Sequence, residues 1–138
     1  MNNETATVFY VDDNARSRRF LSSVLAECGF EVVTAGDPLE ALACCGKISF
    51  DVALLDYQMP SLTGSQLAEQ IHSLVPSVPI VLISGAAALA PSDLLFVDAH
   101  FGRESDLDDL VQTMWKLAGA RLPVAGGSQS SNTWSDTT

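Results

Sequence analysis

Three apolar stretches of strand length, residues 8–11 (VFYV), 52–55 (VALL) and 80–83 (IVLI), are continuous rather than alternating. A strand with water on one face alternates apolar and polar side chains. An unbroken run fits a strand covered on both faces, as in a parallel sheet held between helices. A weaker run, residues 30–34 (FEVVT), has the same length. A fifth candidate, residues 97–101 (VDAHF), is poor in β-formers and is placed by its position in the rhythm.

Helical patterns fill the gaps. Phe20, Leu21, Val24, Leu25 and Cys28 recur at three- and four-residue steps, and Gly29 follows as a stop. Asp37-Pro38 offers a cap and a pre-set first turn before Leu39, Leu42 and Cys45. Thr63 and Gln66 have capping-box spacing ahead of Leu67, Ile71 and Leu74. Ser105 and Asp108 repeat it before Leu110, Val111, Met114 and Leu117. Residues 85–95 are alanine-rich, but Pro91 limits them to a short or broken helix. The expected fold is therefore α/β, a five-stranded parallel sheet with right-handed crossovers and helices on both faces. Residues 1–118 form one domain in this reading. Residues 119–138, rich in Gly, Ser and Thr and without period, read as a flexible tail or linker.

Composition narrows the function. The 138 residues are 47% hydrophobic and 17% charged, enough for a core in one domain and too few for a second. Seventeen acids against seven bases give a net charge of −10, the wrong sign for a duplex-binding surface, so no direct nucleic-acid partner is expected. No signal peptide and no run of ~18 apolar residues is present, so no membrane partner is expected either. Cys28, Cys44 and Cys45 are odd in number and two are adjacent, which reads as reduced thiols in the cytoplasm.

Ligands of a doubly wound sheet sit outside the carboxyl ends of its strands. Asp12 and Asp13 follow the first strand, Asp56 the third, Ser84 the fourth and Arg103 the fifth. Taken singly, each is explained as a cap, a turn residue or a surface charge. Taken together they place three carboxylates, a hydroxyl and a cation on one rim. Clustered carboxylates call for a hard divalent ion with oxygen ligands, and Mg2+ suits best.

At these residues the chain resembles the receiver domain of two-component response regulators. VFYVDDN resembles the family's first strand and acidic pair, VALLDYQMPSLTG its phosphoacceptor strand with Pro60 and Gly64 in place, and IVLISG the strand that ends in its hydroxyl residue. The resemblance spans about residues 6–118. It implies the flavodoxin-like strand order 2-1-3-4-5. It makes Asp56 the phosphoacceptor, with Asp12, Asp13, Asp56 and the backbone carbonyl of Gln58 as Mg2+ ligands. Ser84 would bond a phosphoryl oxygen, Arg103 would stand in for the family's lysine, and His100 for its aromatic switch residue. The implied donor is a phosphohistidine on a sensor histidine kinase or histidine phosphotransfer protein. A downstream protein partner is implied as well. The resemblance leaves open a homodimer through the face made by the fourth crossover, the fifth strand and the last helix.

Two departures stand out. The family's Lys-Pro is here Arg103-Glu104, where a cis bond would cost ~2.5–4 kcal/mol. The stretch between Ser84 and Arg103 is also short for a full fourth helix. The first hypothesis is a stand-alone, phosphorylatable relay or interaction switch, non-enzymatic apart from self-catalysed acceptance and slow autodephosphorylation. The second is a degenerate receiver, a protein-interaction module independent of phosphorylation. A phosphatase-type hydrolase would need an acid two residues past its nucleophile, where Gln58 and Asn14 stand.

Overall fold

The computed structural model describes residues 5–85 and 89–119. Along the chain lie β1 (Thr7–Val11), α1 (Ala15–Glu27), β2 (Glu31–Ala35), α2 (Pro38–Cys45), β3 (Val52–Asp56), α3 (Gly64–Leu74) and β4 (Ile80–Ser84). A single 3-10 turn (Pro91–Leu94), β5 (Ala99–Gly102) and α4 (Leu107–Ala118) follow. The sheet runs β2-β1-β3-β4-β5 with every pair parallel. This is the expected flavodoxin-like order.

The continuous apolar runs are two cores interleaved at period two. Val8, Tyr10, Leu54 and Val81 point to one face, where Leu21 and Leu25 of α1 and Leu110 and Met114 of α4 cover them. Phe9, Val11, Leu55 and Leu82 point to the other, against Ala41 and Cys45 of α2 and Leu67 and Ile71 of α3. Every residue of β3 and β4 is buried, as central strands of a two-sided sheet must be. The expected caps at Asp37 and the Thr63–Gln66 capping box both form.

Four local expectations shift. β5 starts at Ala99 rather than residue 97, because the Asp98 carboxylate accepts from Ile80 N at 2.8 Å and ends the turn there. β2 starts one residue late, since Phe30 N bonds back to Leu25 O at the end of α1. The α4 cap is Asp106, accepting from Asp108 N at 3.0 Å, not Ser105. Phe20, expected within the apolar stripe of α1, is 60% exposed. It borders a cavity of about 230 Å³ between α1 and α4.

Among the described residues the fourth crossover carries only the 3-10 turn, in line with the broken helix expected there. Ser65 Oγ donates to Asp93 O at 2.6 Å and ties that turn to the first turn of α3. The tail expected over residues 119–138 lies, beyond Gly119, outside the described residues. No described helix is long and apolar enough to cross a membrane.

Candidate functional site

The carboxyl ends of β1, β3 and β4 bring the acidic residues together. Asp12 is 1% exposed, Asp56 closes β3 at 3% and Ser84 closes β4 at 3%. Asp13 is exposed on the rim. One carboxylate oxygen from each of Asp12, Asp13 and Asp56 lies within 4.8 Å of the others. Arg103 follows β5 and extends its pairing, its N–H donating to Ser84 O at 3.2 Å. Its guanidinium then turns back over the cluster, 2.5 Å from Asp56 Oδ1 and 3.9 Å from Asp12 Oδ2.

One arginine faces three carboxylates, and two of the three are buried. Burial, together with the neighbouring Asp12 charge, pushes the Asp56 carboxyl up to about 6, with Arg103 pulling the other way. The charge left over and the all-oxygen donor set fit a hard divalent cation. Gln58 sits on the exposed loop two residues past Asp56. His100 lies opposite Leu82 and one same-face step before Gly102, the partner of Ser84, with its side chain exposed. No cis peptide occurs among the described residues, so the Arg103–Glu104 bond is trans.

Three supports of this rim do not stand out in the sequence pattern. Tyr10 Oη donates to Asp12 Oδ2 at 2.6 Å, and Asn14 N donates to Asp12 Oδ1 at 2.9 Å. Asn14 also caps α1 by accepting from Ser17 N. Arg18, one of three neighbouring arginines with Arg16 and Arg19 in α1, donates to the backbone carbonyl of Asp12 at 2.6 Å. The signal for Tyr10 was present: it stands two residues before Asp12, on the same face of a strand. Its place inside an apolar run hid the hydroxyl.

Gly64 allows α3 to start against the end of β3. A Cβ there would stand 2.5 Å from Asp56 O and 2.9 Å from Tyr57 Cα. The Asp56–Tyr57 peptide unit is backbone and cannot swing away as a side chain could. Gly64→Ala is therefore expected to destabilise the fold by about 1–3 kcal/mol, read by urea unfolding. Stability equal to the parent would show that the loop has slack.

Comparison with known proteins agrees with this geometry. The family model "Response regulator receiver domain" matches residues 8–99. The chain is 29% identical over 115 residues to sensor histidine kinase RcsC of Salmonella typhi, covering 81% of this chain and 12% of that protein. It thus spans about an eighth of the length of such curated relatives. The structure of response regulator TrrA of Thermotoga maritima in complex with Mg2+-BeF superposes with a TM-score of 0.77 at 25% identity, covering 82% of this chain and 99% of that one. TrrA in complex with histidine kinase ThkA matches with a TM-score of 0.75 at 25% identity, covering 82% and 98%. With the strand order, the acidic rim and the family match in agreement, the chain belongs to the response regulator receiver domains of two-component signalling.

Proposed function

We propose that Asp56 accepts a phosphoryl group from a phosphohistidine donor, with a Mg2+ ion held by Asp12, Asp13, Asp56 and the Gln58 carbonyl. The observation that carries this is the three-carboxylate cluster at the strand ends, with Asp56 buried at its centre. An Asp56 oxygen forms the bond to phosphorus as the phosphorus–nitrogen bond of the donor breaks, its electron pair leaving with the imidazole. Arg103, already against Asp56, supplies positive charge to the transferred oxygens, and Ser84 a hydroxyl. When bound, Mg2+ offsets the charge that develops on those oxygens. The donor class is a sensor histidine kinase or a phosphotransfer protein, by analogy with the complex of ThkA and TrrA. The module then relays the group or switches a protein partner, with His100 as the candidate switch residue. The intact acidic set favours this over a degenerate interaction module.

The test is incubation with Mg2+ and acetyl phosphate followed by intact-mass measurement. A gain of one phosphoryl group, lost in chelator, is expected. A folded protein that gains nothing from fresh donor would turn the assignment to the degenerate module.

Mg2+ should also raise thermal stability, by about 2.7 kcal/mol at a hundred times its Kd. Asp13→Ala should remove most of that gain and raise the melting temperature of the metal-free protein. Scanning calorimetry in Mg2+ and in chelator reads both. An undiminished Mg2+ effect in Asp13→Ala would exclude Asp13 as a ligand.

A further inference from the structure

Tyr10 is 1% exposed, next to last in β1, where any large apolar residue would fill the same space. Its side chain lies on the α1/α4 face, and so does that of Asp12, two residues on. Two residues of strand rise about 7 Å, close to the reach of a phenol, so the ring leans along the strand and delivers its hydroxyl to the Asp12 carboxylate. The contact to Oδ2 is 2.6 Å, while the alternative acceptor, Ser17 O, is 3.4 Å away. A hydroxyl has one proton, and the shorter, charge-assisted bond takes it.

Asp12 is thereby gripped at both oxygens, Oδ2 by Tyr10 and Oδ1 by the Asn14 amide. Rotating the carboxylate would break two bonds at once, yet each oxygen keeps a second lone pair. We propose that Tyr10 is a positioning residue for the cation site, its phenol locking the Asp12 carboxylate in the orientation that receives the hydrated ion. The proposal rests on the reading that the acidic cluster holds a divalent ion. The hydroxyl bonds to the Asp12 carboxylate. It acts through Asp12, and partners of this kind commonly set metal affinity by a factor of ten or more.

Calorimetric titration of the full chain with Mg2+, without phosphoryl donor, provides the test. Tyr10→Phe keeps the ring and removes the hydroxyl, and should weaken Mg2+ binding about tenfold. Unfolding in chelator measures separately what the change does to the fold. The chain has two tyrosines, so 13Cζ-tyrosine labelling gives two signals, assigned with Tyr57→Phe. The Tyr10 signal should move as Mg2+ saturates the wild type. Equal affinity in wild type and Tyr10→Phe overturns the proposal. If Tyr10→Phe does not fold, a wild-type Tyr10 signal unmoved by saturating Mg2+ overturns it instead. Failure of the wild type to bind Mg2+ at all is a different outcome, and rejects the cation site itself together with anything built on it.

Discussion

Asp56→Asn should leave a folded protein that gains no phosphoryl group from acetyl phosphate in Mg2+, while the wild type gains one. The loss is expected to be complete because the two other carboxylates of the cluster cannot take over. Asp12 is as deeply buried as Asp56, and both its oxygens are already held, by Tyr10 and by the Asn14 amide. Asp13 sits on the exposed rim, off the strand end that Arg103 faces. Of the three, Asp56 is the one hydrogen-bonded to the guanidinium, the place where positive charge would meet the incoming oxygens, while Asp12 lies 3.9 Å from it. An amide is the same size but offers no anionic nucleophile. Asp13→Asn serves as the control: it should still accept the group, with a higher Mg2+ requirement. Intact-mass spectrometry on the three proteins decides, and an adduct on Asp56→Asn at the wild-type level would move the acceptor elsewhere.

How much of this was legible in the sequence follows from which interactions are local. The unbroken runs at residues 8–11, 52–55 and 80–83 announced central strands because burial on two faces leaves no room for polar side chains. The acidic rim was legible because strand ends in this architecture converge on one edge. The start of β5 was not, since it depends on Asp98 reaching across to Ile80 N, a contact between residues far apart in the chain. The exposure of Phe20 was hidden for a related reason. Helical period places it on the apolar stripe, but the cavity between α1 and α4 exists only once both helices have docked. Arg18 reads as one of three neighbouring arginines, and nothing in that spacing says that it turns inward to the Asp12 carbonyl. The orientation of Arg103 was open in the same way. Its charge was visible in sequence, whereas its position over Asp56 depends on β5 pairing with β4 through to Ser84.

Without metal, the charge on Asp56 should make the protein less stable as pH rises. Its carboxyl titrates at about 6 in the fold against an ordinary 3.8, so between those values the folded state holds a proton that the unfolded chain has released. Stability then falls with increasing pH across that window, the reverse of a salt-bridged carboxylate. The full difference is about 3 kcal/mol, taking 1.36 kcal/mol for each unit of displacement. The sign is set by burial and by Asp12; the bond to Arg103 offsets only part of it. Asp56→Asn carries no such charge. In chelator, its stability advantage over the wild type should grow from near zero at about pH 4 to about 3 kcal/mol at pH 7. Comparing the two proteins at each pH cancels the titration of the other acids. Mg2+ needs the ionised carboxylate, so adding it at pH 7 should stabilise the wild type far more than the variant and shrink the gap. Urea unfolding of both proteins across this range is the measurement. A gap that stays constant with pH would mean that Asp56 is ionised in the fold as readily as in water, and that Arg103 fully offsets its burial.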